Sequence, residues 1–187
     1  MKTLNRVLLF VSGLLLAAVN FVRLWYIDLI APQYPEGLRL VILTHGWGDL
    51  QQKKIIDDLN HYVGMHPLPK HIPEFTILPI AFWFFAITAI ILALWYNRKL
   101  IWAWFVLYAA FGLIAMADFY KWLYHYGHDL DPNAALKIDP FTPPLIGKKV
   151  LLNFVVWSMP DIGGWFAIIA GVLVFLVIVL DWKFVRR

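Results

Sequence analysis

Residues 75–96, FTILPIAFWFFAITAIILALWY, run into Asn97-Arg98-Lys99 and then into residues 100–124, LIWAWFVLYAAFGLIAMADFYKWLY. Each apolar run exceeds the roughly 20 residues that a helix needs to cross a bilayer. The polar connection between them is three residues long, so the two runs must fold back as an antiparallel helical hairpin. Working outward, residues 7–30 and 163–182 supply two more runs of spanning length. The expected fold is therefore an all-α integral membrane protein. It is one domain over residues 1–187, a bundle of four transmembrane helices with two structured outer loops, about 31–74 and 125–162.

Composition agrees with this reading. Of 187 residues, 61% are hydrophobic and only 15% charged, and the mean hydropathy is +0.69. A soluble chain of this size could not hide so much apolar surface. The absence of cysteine excludes a disulfide framework, thiolate metal sites, c-type haem attachment and a thiol nucleophile. The net charge of +4 comes from scattered basic residues, which argues against nucleic acid as a partner. Lys2, Arg6 and the run after them imitate a signal peptide, but no small-x-small cleavage site follows Leu16-Ala17-Ala18, so the run reads as an uncleaved first span.

Charge also sets the expected orientation. Lys2 and Arg6, Arg98 and Lys99, and Lys183, Arg186 and Arg187 mark the three short segments, whereas the two long loops carry most of the acids. By the positive-inside rule both termini face the cytoplasm and both loops lie outside, in a bacterial inner membrane. All six histidines (His45, His61, His66, His71, His125 and His128) fall in or beside the outer loops. That disfavours a bis-His haem, which needs facing imidazoles at one depth inside the bundle.

Within the loops, residues 38–43 read as a short strand. Asp49 is a natural N-cap for an amphipathic helix over residues 50–63 that Gly64 ends. Residues 148–158 read as a short interfacial helix. Four charges fall inside apolar runs, where each costs about 2.5–3.5 kcal/mol at mid-bilayer. Counting ~1.5 Å per residue, Arg23 and Asp118 share one level, roughly 25 Å up, and Asp28 and Lys121 another, roughly 32 Å up. The expected ion pairs are Arg23 with Asp118 and Asp28 with Lys121.

Two constellations carry possible chemistry. Asp57, His61 and Met65 fall at i, i+4, i+8 on one helical face, and imidazole with thioether suits copper in either oxidation state. Asp118 and His125 stand at i, i+7, with His128 three residues on, which gives a facial set of one carboxylate and two imidazoles for copper, iron or zinc. The plain alternatives are a helix-end His61 with Met65 in apolar packing, and an interfacial aromatic belt with incidental histidines. Met65 and Asp118 complete a candidate metal set of His61, Met65, Asp118, His125 and His128 only if the two clusters converge, which the tight hairpin permits.

Three strings, APQYPEGL at 31–38, LNHYVGM at 59–65 and YGHDLDP at 126–132, resemble a family of small bacterial four-span membrane proteins associated with copper-enzyme maturation, particularly of nitrous-oxide reductase. A looser similarity is to the membrane copper subunit of particulate methane monooxygenase, where an Asp and two His on membrane helices bind metal; the spacing of Asp118, His125 and His128 is tighter than in that pattern. The resemblance implies copper as cofactor and a periplasmic copper protein or membrane complex as partner. The functional expectation is a copper-binding accessory protein at the periplasmic face. Alternatives are a metal-free structural or assembly subunit and a membrane metal oxidoreductase with an open site at Asp118, His61, His125 and His128.

The orientation is testable because the chain has no cysteine of its own. Cysteines placed at Gln52 and Asn133 are expected to react with a membrane-impermeant thiol reagent in intact cells, and Arg98→Cys to stay unlabelled. Labelling at position 98 alone would invert the topology.

Overall fold

The structure is a computed structural model that describes residues 2–151 and 154–185. In chain order the elements are α1 (Lys2–Val19), β1 (Trp25–Ala31), β2 (Tyr34–Leu43), β3 (Gly46–Trp47), α2 (Leu50–Tyr62), α3 (Glu74–Leu94), α4 (Arg98–His128), β4 (Gly147–Leu151), β5 (Phe154–Pro160) and α5 (Ile162–Val185). Helices α1, α3, α4 and α5 are long and apolar enough to cross a membrane, which makes this a multi-pass membrane protein. The rest of the expected fold needs correction. The chain is not an all-α bundle, because five strands form an antiparallel sheet in the order β3-β2-β1-β5-β4.

Helix α1 packs between α3 and α5. Its Leu9, Leu16 and Val19 are fully buried against Ala86 and Ala89 of α3 and Ala170, Val174 and Val177 of α5. Small residues let the backbones approach. A side chain added at Gly13 would place its Cβ 2.9 Å from the Ala86 carbonyl oxygen, and Ser12 Oγ donates a hydrogen bond to the Ala170 carbonyl at 2.6 Å. Away from the sheet, Asn5 Nδ2 donates to Tyr96 Oη at 2.9 Å and to Asp181 Oδ1 at 2.8 Å. Tyr96 donates to Asp181 Oδ2, and Arg98 Nε lies 3.3 Å from the same oxygen. Burial first, and then the bond to Asp181, push the Tyr96 phenol up to about 12.

The first span ends sooner than hydropathy predicts. Residues 7–30 are not one helix; α1 stops at Val19 and Trp25–Ala31 is strand β1. The physical reason is the change in period. From Trp25 on, Trp25, Ile27 and Leu29 alternate with Tyr26, Asp28 and Ile30, the two-residue repeat of a sheet with unlike faces. Residues 148–158 are likewise not a helix. Lys148, Lys149 and Val150 of β4 pair with Trp157, Val156 and Val155 of β5, consistent with the β-branched and aromatic content of β5. The strand expected over residues 38–43 is present within β2, and Asp49 caps α2, accepting from the Gln51 and Gln52 amides at 3.0 Å each.

The expected ion pairs are also replaced. Arg23 Nε lies 3.2 Å from Asp161 Oδ2 instead of meeting Asp118. Asp28 takes a bidentate pair from Arg39, at 2.6 and 2.7 Å, instead of Lys121. Depth along a helix was the wrong ruler because Asp28 sits on a strand, opposite Arg39 in register. The basic residues Arg186 and Arg187, used for orientation, lie outside the described residues.

Arg23 is half exposed and Asp161 almost buried, so solvent screens the pair and its coupling should be about 0.5–1 kcal/mol. A double-mutant cycle of Arg23→Gln and Asp161→Asn, read by denaturant unfolding in detergent, is expected to show that coupling. The cycle of Arg23→Gln with Asp118→Asn should be additive; the reverse outcome would restore the sequence-based pairing.

Candidate functional site

Each face of the sheet has its own chemistry. On one, Arg39 pairs with Asp28 and its guanidinium lies 4.4 Å over the Tyr26 ring. On the other, Trp25, Ile27 and Leu29 of β1 stand beside Leu40 and Ile42 of β2 and Val156 of β5, in register. Helix α2 packs Ile56 against Leu38 and Leu40 on that apolar side. It is held there by polar ties. Gln52 Oε1 accepts from the Arg39 amide at 2.6 Å, and Asp57 bonds both Lys53 Nζ at 2.6 Å and the Leu68 amide at 2.8 Å.

Helix α4 spans 31 residues, about 46 Å at ~1.5 Å per residue, against a hydrocarbon thickness of ~30 Å. That is longer than a crossing needs, and the C-terminal part of α4 reaches the sheet, where the Phe119 ring meets Trp25 edge-on at 5.5 Å. Between the apolar sheet face, α2 and the sheet-side parts of α3, α4 and α5 lies a cavity of about 1130 Å³. Gly112 of α4 and Ile168 and Val172 of α5 line it and are also exposed. Exposed lining residues occur both there and among the loops, at Tyr62, Leu136 and Ile146.

Its lining is almost wholly apolar, and the charged exceptions are all acids: Glu74, Asp118 and Asp139. Trp122 Nε1 donates to Glu74 Oε1 at 3.2 Å. The Asp118 carboxyl lies within hydrogen-bonding reach of Glu74. Glu74 Oε2 is buried, and no N–H or hydroxyl among the described residues reaches it. Lys121, the cation nearest Asp118, is exposed and outside the lining.

The five candidate ligands divide. Met65 and Asp118 line the cavity, whereas His61, His125 and His128 are exposed and outside its lining. His128 stacks on Tyr124 at 3.9 Å and its Nδ1 lies 2.9 Å from the Tyr124 carbonyl oxygen. The i, i+4, i+8 stripe is cut because α2 ends at Tyr62 and Gly64 turns the chain with φ +83°. A side chain there is excluded twice, by that left-handed backbone and by Ala134 Cβ at 2.8 Å from an added Cβ. The chain that follows His61 is tied to the chain that follows His128. The Asp131 amide donates to the Gly64 carbonyl at 2.8 Å and the Leu136 amide to that of Tyr62 at 3.1 Å, and His66 Nε2 stands 3.3 Å from Asp129 Oδ2. Among the described residues, no group of three or more His, Asp or Glu could hold one metal ion.

Glu74 is the site residue that sequence reasoning missed, having been counted as a loop charge. The hairpin held the signal. Glu74 stands 23 residues before Asn97 and Asp118 stands 21 after it, so an antiparallel pair brings them to one level. In comparisons with protein-family models, curated proteins and solved structures, no match to this chain is found.

Proposed function

We propose that this protein binds an apolar, membrane-soluble molecule in the cavity beneath its sheet, taking it up from the bilayer through the cleft between α4 and α5. In this reading it sits in a bacterial inner membrane with the sheet on the periplasmic side. One observation carries the proposal: a cavity of about 1130 Å³, apolar throughout most of its wall, lined in part by three helices long and apolar enough to cross a membrane. Ligand pockets usually measure about 300–1,000 Å³, so there is room for a lipid-sized chain. Entry from lipid gains little hydrophobic energy, because the molecule leaves one apolar medium for another. Shape and the few polar groups must then decide what stays bound.

Gly112 offers the test, since it lines the cavity and an added Cβ meets nothing within 4 Å. Gly112→Phe should fill the space without disturbing the helix core. In lipid nanodiscs, labelling of the cavity wall by a photoactivatable long-chain alkane is expected to fall at least fivefold in that variant. Equal labelling, with unfolding midpoints unchanged, would overturn the reading.

A second reading, copper presentation, draws support from the backbone convergence of residues 62–67 with 126–136, which puts both candidate clusters on one side of the molecule. The exposed His61 and His125 would have to turn toward one another to share an ion. On this reading the purified protein binds copper, and His61→Ala and His125→Ala each weaken the same binding event. Copper binding unchanged in both variants would remove it.

A further inference from the structure

We infer that the cavity selects ligands whose head group donates hydrogen bonds and carries no negative charge, a long-chain amine or alcohol as opposed to a fatty acid. The inference rests on the cavity reading above and deepens it. Among the described residues, three carboxyl groups line the cavity and no lysine, arginine or histidine does. Lys121, which acts on Asp118 from outside the lining, is exposed, and Arg23, Arg39 and Lys53 pair with Asp161, Asp28 and Asp57.

Within the wall, Glu74 and Asp118 form the polar end. Trp122 supplies one N–H to Glu74 Oε1, and the Asp118 carboxyl lies within hydrogen-bonding reach of Glu74. Two carboxyl groups that share a single N–H at one end of an apolar wall leave acceptor positions that a donor on the ligand can fill. A primary ammonium brings three donors and a hydroxyl one. Either can sit at the Glu74–Asp118 pair with its chain running between α4 and α5 along Gly112, Ile168 and Val172. A carboxylate or phosphate head would bring only acceptors, and a like charge, into a low-dielectric wall.

The test uses the full chain in nanodiscs and three photoactivatable probes of equal alkyl length, ending in a primary amine, an alcohol or a carboxylate. Yields at peptides carrying Met116 and Phe119 are normalised to labelling of the surrounding lipid. The amine and alcohol probes are expected to label at least fivefold more than the carboxylate. An amine yield above the alcohol yield would make charge the main determinant, and equal yields would make it donor capacity; both support the inference. A carboxylate yield equal to or above the other two in the wild type overturns it, with no variant required. Glu74→Gln combined with Asp118→Asn should bring the ratio close to one. A ratio unchanged in that variant overturns the assignment to these two carboxyls. Absence of labelling by all three probes is a failure of the cavity reading itself, separable because it would also appear with the alkane probe.

Discussion

The rest of the structure depends on the backbone seam where α1 gives way to β1 and β5 gives way to α5. The carbonyl of Leu24 accepts from the amides of Asp161 and Gly164, both at 3.1 Å, and that of Arg23 accepts from Gly163 at 2.7 Å. These carbonyls lie in the link between α1 and β1, and the amides of Gly163 and Gly164 are among the orphan donors of the first turn of α5, so the link caps that helix. The contact needs glycine, since an added Cβ at Gly164 would lie 2.7 Å from the Leu24 oxygen and 2.6 Å from Pro160 Cβ. With the seam fixed, β1 must lie beside β5, and the sheet stands on the packed pair α1–α5.

Once the sheet is placed, the cavity follows from lengths. Helix α1 has 18 residues and α3 has 21, while α4 has 31. The sheet rises from the end of the short helix, and the long one stands beside it as a wall. Tyr108 Oη ties α4 to α5 through the Ala167 carbonyl at 2.8 Å, and Trp25 with Phe119 closes the contact higher up. Between those two levels the small residues Gly112 and Ala115 leave space, which the bulky residues of the sheet face do not enter.

The sequence made the four membrane crossings legible because hydropathy over 20 residues reports burial in lipid, and the hairpin at Asn97 left no other arrangement for α3 and α4. It made α2 legible because Asp49 and Gly64 are local signals with local causes. It concealed the sheet. Residues 24–30 are as apolar as the helix before them, and only their two-residue alternation separates strand from helix, a pattern too short to stand out beside the apolar run of residues 7–19. Strand β5 was hidden for another reason: besides its neighbour β4 it pairs with β1, some 130 residues earlier in the chain, and nothing local announces that second pairing. An error in one dihedral class then spread to the charges, because levels computed with a helical rise put Asp28 opposite Lys121 when a strand puts it opposite Arg39.

The candidate site shows the same division between what spacing can and cannot say. Asp118 was singled out for the right physical reason, a carboxylate in an apolar run, yet its neighbour was sought among cations and histidines. The neighbour is another acid, Glu74, and neither is neutralised by a basic group of the lining. A structural ion pair would have placed a cation there, as Asp161 has Arg23 and Asp181 has Arg98. Those two acids sit at junctions where helices meet and serve the fold. Glu74 takes the Trp122 N–H and so ties α3 to α4, whereas its other close neighbour is a second acid, Asp118; two carboxyls together in an apolar wall are costly unless a donor meets them.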